Sequence, residues 1–281
     1  MVPKQGLILC AGLGTRMKEL SDFVPKAMLP FADGRLIDYQ IAYLKGLGVE
    51  KILVNSHHHA DLLSSYLEKN YPEVQVINEP VLLGSGGVFH NLKRLGYKGP
   101  ILSVNADSFF FLDKNHFSSY EEKHHLLFGL RVQANENYNR LVVDSQNFFQ
   151  SVVKNSVGAP DITFSGVSII HLDLIKSVIE GPSSFFETVA IPGLTKVMRP
   201  THPIEYWDFG TVEEYFTASR KFNSLPAGQA HLHQFVKKTT PPKGLLPAVL
   251  STNGKGVTIA LNNDTRAEIS EKGLKILKSP L

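Results

Sequence analysis

Short apolar runs alternate with amphipathic segments from the first residues to about residue 130. The runs have the length of buried strands, whereas the amphipathic segments repeat their apolar residues at helical spacing. Residues 36–47 are typical of the second kind, because Ile37, Ile41 and Leu44 share one helical face and Gly48 follows as a natural C′ residue. Strands that alternate with helices predict a parallel sheet flanked by helices. The predicted elements are strands over 5–10, 51–55, 74–77 and 100–105 and helices over 36–47, 60–69 and 87–95.

The pattern changes after residue 130. Strand-like pieces lie near 141–143, 149–153 and 163–170, and helices are expected to resume near Leu172. Such pieces predict an antiparallel insertion on the parallel sheet. The fold class predicted for the chain is therefore α/β, with a mixed but mostly parallel sheet.

The last part of the chain differs again. Its stretches PAGQ, TTPPKG and STNGKG are rich in turn formers, and only a strand over 257–261 looks regular. We therefore predict one domain over residues 1–223 and a small appendage of unassigned role over 224–281. The appendage is a candidate contact for a homo-oligomer.

Composition excludes several classes of protein. Of 281 residues, 43% are hydrophobic and 20% charged, as in an ordinary globular chain. The net charge of +3 comes from 29 basic and 26 acidic residues without strong clustering, so no nucleic-acid partner is expected. The single cysteine excludes an intramolecular disulfide, and no apolar run approaches the ~20 residues of a membrane span. We expect a cytoplasmic protein with no membrane partner.

The first chemical feature is the stretch LILCAGLGTRMKELSDFVPK, in which an apolar strand runs into a glycine-rich loop. Gly12 and Gly14 let backbone amides approach phosphate oxygens, while Arg16 and Lys26 add positive charge. The alternative is a tight strand-to-helix turn with two solvated cations. The loop lacks the Lys-Ser/Thr pair of a Walker loop and the third glycine of the Rossmann fingerprint. A different phosphate-binding design is required.

The loop GLGTR, followed by ten residues from Arg16 to the PK pair ending at Lys26, resembles the sugar-1-phosphate nucleotidylyltransferase family. Further segments of the family's pattern follow in the family's order: NEPVLLGSGG at 78–87, VNADSFF at 104–110, TFSGVSII at 163–170 and YWDFGT at 206–211. Within the family, the chain looks most similar to hexose-1-phosphate guanylyltransferases and N-acetylmuramate-1-phosphate uridylyltransferases. The resemblance implies a Rossmann-like fold of the nucleotide-diphospho-sugar transferase type.

The activity that the resemblance implies is transfer of a nucleoside monophosphate from a nucleoside triphosphate to a sugar 1-phosphate, with release of pyrophosphate. Two polyanions must meet in this reaction, so catalysis is expected from positioning and electrostatic stabilisation. Mg²⁺ is the implied cofactor, since it binds through one or two carboxylates together with phosphate oxygens.

The resemblance also implies roles for individual residues. Arg16, Lys26 and Asp107 are the implied catalytic residues, and Asp107 with Asp208 would hold Mg²⁺. Taken alone, Asp107 could cap a helix and Asp208 could be a turn residue before Gly210. The implied nucleotide-binding residues, which would line the phosphates or read the base through their backbone, are Ala11, Gly12, Gly14, Thr15, Gly84, Ser85 and Gly86.

The acceptor side departs from the family's pattern. Lys154, Ser165 and Gly166 are the implied sugar-phosphate-binding residues, but Val153 stands where many members carry a glutamate. The missing carboxylate leaves open a cytidylyltransferase acting on phosphocholine or another non-sugar phosphate. A second alternative is a non-catalytic subunit that binds a nucleotide sugar, because fold alone does not determine function.

Overall fold

The computed structural model describes residues 1–118, 120–133, 135–136, 138–156, 161–199, 202, 204–226, 229–242, 251–252, 256–262 and 264–278.

The first 110 residues contain every strand and helix predicted for them. The elements are β1 (Gln5–Leu9), β2 (Pro30–Phe31), β3 (Gly34–Arg35), α1 (Leu36–Leu47), β4 (Lys51–Ser56), α2 (Ala60–Asn70), β5 (Gln75–Asn78), α3 (Gly84–Arg94), β6 (Pro100–Asn105) and β7 (Ser108–Phe110). Strands β6, β1, β4 and β5 are neighbours in that order and pair in parallel, which confirms the predicted parallel sheet. Helix α3 begins three residues earlier than predicted, at Gly84 rather than Gly87.

Strand alternation places apolar side chains on both faces of this sheet. In β1, Ile8 packs into the core on the side of α1, whereas its neighbour Leu7 packs with Val88 and Phe89 of α3 on the opposite side. Successive side chains of a strand point to opposite faces, so a fully apolar run supplies two cores at once. β1 is apolar at successive positions because a helical layer covers each face of the sheet.

The middle of the chain adds antiparallel strands to one edge of the sheet. Its elements are β8 (His125–Arg131), β9 (Tyr138–Val143), β10 (Phe149–Ser156), β11 (Ile162–His171), α4 (Phe185–Thr188), β12 (Thr195–Met198), β13 (Tyr206–Asp208) and α5 (Val212–Ser224). Strand β11 pairs antiparallel with β6, and β10 and β9 continue the sheet outward. The predicted antiparallel insertion is confirmed, although β8 and β12 were not predicted.

The expectation that helices resume near Leu172 is wrong. A three-residue 3₁₀ turn covers Leu172–Leu174, and the next α-helix is the four-residue α4. Gly181, with φ +83°, and the proline that follows it interrupt this stretch. A helix cannot run through such a pair, because the glycine is left-handed and proline lacks the amide hydrogen.

The C-terminal region is more regular than predicted. It contains α6 (His231–Lys238) and a four-stranded antiparallel sheet of β14 (Ser251–Thr252), β15 (Gly256–Ala260), β16 (Thr265–Ser270) and β17 (Gly273–Lys278). The expectation of a single regular strand is wrong, since TRAEIS in β16 alternates buried and exposed residues, a half-buried strand pattern. Val257, Ile259 and Ala267 join the core that contains α1 and α5. The division at residue 223 stays a prediction.

No helix in the described ranges combines the length and the apolar character needed to cross a bilayer.

Candidate active site

A pocket of about 410 Å³ opens where the carboxyl ends of β1, β4 and β6 meet. In open α/β sheets this edge is where ligands collect. The structure brings to it most residues that the sequence assigned to the nucleotide, together with Lys26 and Asp107. The residues that line it are Leu9, Cys10, Ala11, Gly12, Gly14, Thr15, Arg16, Lys26, Ala27, Asn55, Leu82, Gly84, Ser85, Asn105, Ala106 and Asp107.

The glycine-rich loop forms one wall of the pocket. Gly14, with φ +68°, is the N-cap of the 3₁₀ helix Thr15–Asp22, and its carbonyl accepts a hydrogen bond from Met17 N at 2.7 Å. This left-handed backbone conformation favours glycine. Among the described residues, a Cβ built on Gly12 would have no heavy atom within 4 Å outside its immediate chain neighbours. The loop backbone at Gly12 therefore faces open space rather than packed protein.

Lys26 and Asp107 form an ion pair at the centre of the site. The Lys26 Nζ lies 2.7 Å from Asp107 Oδ2 and also donates to Gly210 O at 3.0 Å. Both side chains are mostly withdrawn from solvent, with 15% and 19% of their surface exposed. Asp107 follows β6 by two residues, and Lys26 opens the 3₁₀ turn Lys26–Met28. Residues 81 positions apart thus meet in a defined geometry.

A short two-stranded sheet brings the second aspartate to the first. Strands β7 and β13 pair antiparallel with Asp208 opposite Ser108, and Phe209 N donates to Asp107 O at 2.8 Å. The Asp208 carboxylate accepts from Gly210 N at 2.8 Å and from the Tyr206 hydroxyl at 3.2 Å. This pairing was not predicted, because three-residue strands carry too little periodicity to be recognised in a sequence.

Asp208 is buried near two other carboxylates. Burial, together with the nearby carboxylates of Glu214 and Asp107, raises the pKa of Asp208 to about 6. Both neighbours disfavour a further negative charge in the site. A cation bound between the two aspartates would relieve this repulsion.

Glu214 is a residue that the sequence reasoning missed. It lies in the first turn of α5, whose N-cap Thr211 accepts from Glu214 N at 3.1 Å. The Glu214 Oε2 is buried and has no hydrogen-bond partner among the described residues, and Arg16 Nη2 lies 3.5 Å from where a Cβ of Gly210 would stand. Glu214 and Arg16 thus approach the same turn from opposite chain segments. An acidic residue three positions after a threonine N-cap was the available signal.

A buried polar relay joins the glycine-rich loop to the segment before α3. Asn55 Oδ1 accepts from Cys10 N at 2.8 Å, and Asn55 Nδ2 donates to Glu79 Oε1 at 2.8 Å. Glu79 Oε2 in turn accepts from Leu83 N at 3.0 Å. Asn55 and Glu79 are 3% and 1% exposed. A polar residue at the carboxyl end of a parallel strand, as Asn55 is, was the signal that could have identified this relay.

Gly84 and Gly86, in the first turn of α3, have different roles. Gly84 lines the pocket, whereas Gly86 is buried behind it and donates its amide to Ser183 O at 2.9 Å. A Cβ on Gly86 would stand 2.7 Å from Ser184 O and from Thr188 Oγ1. Close packing against α4 and the residues preceding it therefore requires a glycine at 86. Its part in nucleotide binding stays a prediction.

The three implied acceptor residues lie in different surroundings relative to the pocket. Gly166, with φ +86°, packs against the Asn105 side chain beside the pocket, since a Cβ there would stand 2.6 Å from Asn105 Nδ2. Ser165 is 1% exposed and donates to Phe128 O at 2.7 Å. Lys154 is exposed on β10 and makes no hydrogen bond or ion pair with any described residue. Gly166 adjoins the pocket, whereas the Ser165 hydroxyl is occupied within the sheet.

The donor set at Asp107 and Asp208 suits a hard cation. Both supply carboxylate oxygens, which Mg²⁺ prefers, and the site holds more negative charge than Lys26 alone balances. Within the described part of the chain, no three His, Cys, Asp or Glu side chains group together as a metal site. A cation here would need further oxygen ligands, such as phosphate oxygens.

Three kinds of comparison place these features among known proteins. Residues 6–119 match the family model described as a MobA-like NTP transferase domain. Over 113 residues the chain is 38% identical to N-acetylmuramate alpha-1-phosphate uridylyltransferase of Caulobacter vibrioides, covering 38% of this chain and 46% of that protein. It is 22% identical over 219 residues to D-glycero-alpha-D-manno-heptose 1-phosphate guanylyltransferase of Campylobacter jejuni, covering 75% of this chain and 97% of that protein.

Solved structures with the same fold include two crystal structures of HddC from Yersinia pseudotuberculosis, one of them complexed with GMP-PN. Each has a TM-score of 0.67 and 26% sequence identity, and covers 78% of this chain and 99% of that chain. The chain spans about half the length of the uridylyltransferase it matches and nearly all of the guanylyltransferase. These comparisons confirm the resemblance to the nucleotidylyltransferase family and the α/β fold inferred from the sequence.

Proposed function

We propose that this chain acts as its nucleotidylyltransferase relatives are named to act, transferring a nucleoside monophosphate from a nucleoside triphosphate to a sugar 1-phosphate. The observation that carries the proposal is the Lys26–Asp107 ion pair, which lines the glycine-loop pocket, with Asp208 held next to Asp107 by the pairing of β7 and β13. The sugar phosphate oxygen would attack the α-phosphorus, and the bond from that phosphorus to the bridging oxygen of pyrophosphate would break. The products are a nucleoside diphosphate sugar and pyrophosphate.

The residues of the pocket suit the charge changes of this reaction. Backbone amides around Gly12 and Gly14, together with the Arg16 guanidinium, would bind the triphosphate and stabilise the charge that grows on the leaving pyrophosphate. Lys26, held by Asp107 and Gly210 O, would present its ammonium to the reacting phosphates. Its fixed position matters, because positioning supplies much of the rate enhancement when no covalent intermediate forms.

Asp107 and Asp208 are the residues that would hold Mg²⁺. When bound, Mg²⁺ would supply charge neutralisation at the α-phosphate and a fixed orientation for the two substrates. The raised pKa of Asp208 supports this part of the proposal, because a carboxylate that its neighbours repel gains from a bound cation.

The acceptor and the base are the least constrained parts of the proposal. Val153 and Lys154 lie exposed on β10, where Val153 stands in place of the family's frequent glutamate. A non-sugar phosphate such as phosphocholine is therefore the competing acceptor. Relatives are named as uridylyl- and guanylyltransferases, and one solved relative is complexed with GMP-PN, so UTP and GTP are the first nucleotides to test.

The test is pyrophosphate release with Mg²⁺, crossing five nucleoside triphosphates with a panel of sugar 1-phosphates and phosphocholine. Release that requires one sugar 1-phosphate and one triphosphate, and that EDTA abolishes, is the expected result. Release with phosphocholine alone would replace the sugar by a non-sugar acceptor. Nucleotide-sugar binding without release from any pair would contradict the enzymatic proposal and favour a binding subunit.

A further inference from the structure

A buried glutamine on α1 holds the turn that carries Asp107. Gln40 is 1% exposed, and its Nε2 donates to Asn105 O at 3.0 Å and to Ser108 O at 2.6 Å. These two carbonyls flank Asp107 at the ends of β6 and β7. One side-chain amide thus bridges both sides of the turn from which the Asp107 carboxylate projects.

The same helix also holds the segment that carries Lys26. Arg35, the residue before α1, donates from Nη1 to Met28 O at 3.1 Å, and Leu36 N donates to Leu29 O at 3.1 Å. Met28 ends the 3₁₀ turn that Lys26 begins. One end of α1 therefore fixes the lysine segment, while Gln40, little more than a turn further along, fixes the aspartate segment.

We propose that Gln40 is a positioning residue that sets the Asp107 carboxylate against Lys26 and toward the metal–triphosphate complex. This inference rests on the proposed function. An amide is suited to the task, because it carries two N–H donors on one nitrogen and can satisfy two carbonyls that face each other. An apolar replacement would leave both carbonyls unpaired in a buried site, and the turn would relax toward other partners.

The helix provides a matched control one turn away. The Tyr43 hydroxyl donates to Phe110 O at 2.8 Å and accepts from Leu112 N at 2.9 Å. Tyr43 therefore makes the same kind of buried contact from α1 to β7, but at the end of β7 away from Asp107. Tyr43→Phe removes a hydrogen-bonding group of similar burial and leaves the Asp107 turn untouched.

The experiment compares Gln40→Met, Gln40→Glu and Tyr43→Phe with the wild type. The first readout is the affinity for Mn²⁺ in the presence of a non-hydrolysable triphosphate analogue, measured by electron paramagnetic resonance. The second is the kcat of pyrophosphate release and the Mg²⁺ concentration that gives half-maximal rate. We expect both Gln40 variants to bind Mn²⁺ about tenfold more weakly and to lose about 10- to 100-fold in kcat, since small misplacements of reacting groups are costly. Tyr43→Phe should lower only the melting temperature.

The outcomes separate positioning from simple destabilisation. A Gln40 variant that is folded and keeps wild-type Mn²⁺ affinity overturns the inference, as does Tyr43→Phe with the same loss of affinity. Gln40→Glu, which keeps the glutamine's shape, decides the matter if Gln40→Met does not fold. A wild type that binds no Mn²⁺ would also overturn it. If the wild type releases no pyrophosphate but Mn²⁺ affinity still depends on Gln40, the proposed function fails and the positioning role stands.

Discussion

The two sides of the candidate site are built differently. The nucleotide side comprises the loop from Gly12 to Arg16 together with Lys26 and Asp107, and its central charges are paired and mostly buried. The proposed acceptor side comprises Lys154, Ser165 and Gly166 on β10 and β11. There the one charged group, Lys154, is exposed without a partner among the described residues.

This difference indicates that residues on the acceptor side can be exchanged with a smaller loss of stability than residues on the nucleotide side, so substrate specificity can vary there. Changing Lys26 or Asp107 disturbs an ion pair, a backbone contact and the turn that Gln40 holds. Changing Val153 or Lys154 disturbs an exposed strand that, within the described chain, pairs only with β9. The match to the NTP transferase domain ends at residue 119, before any acceptor residue, and so covers little beyond the nucleotide side.

The largest expected effect is on the nucleotide side. Asp107→Asn keeps the side-chain volume but removes the charge that pairs with Lys26 and would bind the cation. We expect turnover to fall about 10³-fold. The chain should stay folded but melt at a lower temperature, because Lys26 loses its mostly buried partner charge. Steady-state pyrophosphate release and circular dichroism are the measurements.

Asp113→Asn is the control for that change, because Asp113 is exposed and caps the 3₁₀ turn Lys114–Phe117, a role that asparagine also fills. Its turnover should match the wild type. Equal turnover in Asp107→Asn and Asp113→Asn would remove Asp107 from the mechanism.

Two glycine variants on the nucleotide side distinguish a residue that faces the pocket from one that packs inside the protein. A Cβ at Gly12 meets open space, whereas one at Gly86 clashes with Ser184 O at 2.7 Å. We expect Gly12→Ala to keep the wild-type melting temperature and raise the KM for the triphosphate about tenfold, because the methyl group stands where phosphates would approach the loop. Gly86→Ala should instead cost about 1–3 kcal/mol of stability.

Thermal melting and nucleotide titrations of both variants provide the measurement. Gly46→Ala serves as the control, since its Cβ also meets nothing within 4 Å but lies inside α1, away from the pocket. Loss of stability in Gly12→Ala would show that the loop is packed and not open to a ligand.

A smaller effect is expected on the acceptor side. Lys154→Ala should raise the KM for the acceptor phosphate about tenfold and leave the triphosphate KM unchanged, since one exposed charge-assisted contact would be lost. Steady-state kinetics with each substrate varied in turn give both constants. Lys237→Ala, an exposed lysine on α6, is the control. An unchanged acceptor KM in Lys154→Ala would remove this lysine from the acceptor side.

The last prediction concerns stability rather than activity and lies in β8, the strand that pairs with β11. His125 in β8 is buried, and its Nδ1 accepts from His171 N of β11 at 3.1 Å. Burial, with smaller contributions from His171 and His124, lowers the pKa of His125 to about 4. The unfolded chain binds this proton more readily, so stability is fully present above about pH 6.5 and falls toward pH 4, by at most about 1.4 kcal/mol per pH unit.

Urea unfolding of the wild type and of His125→Phe between pH 4 and pH 7 measures this dependence. The variant should have a flatter profile across that window, because it lacks the titrating group. Identical slopes for the two proteins would assign the acid sensitivity to other residues.

Much of the nucleotide side could be predicted from the sequence because its signals are local. The loop glycines and the aspartate each follow an apolar strand, and Lys26 ends the PK pair of the family's pattern. The two hydrogen bonds of Gln40 and the relay through Asn55 and Glu79 were not predicted. Apart from the local bond between Leu83 and Glu79, their donors and acceptors are 24 to 68 positions apart and carry no periodicity.

The parallel α/β core, the glycine-rich loop and the residue types available for phosphate and cation binding follow from the linear pattern of the chain. Apolar periodicity and glycine placement act over a few residues, so a linear reading suffices for them. Three features came to light in the folded chain alone. Asp208 lies beside Asp107, Gly86 packs against the residues around Ser184 rather than lining the pocket, and the Ser165 hydroxyl bonds within the sheet. Those outcomes depend on which strands pair and which segments cross. Long-range packing sets both, and no short stretch of chain encodes it.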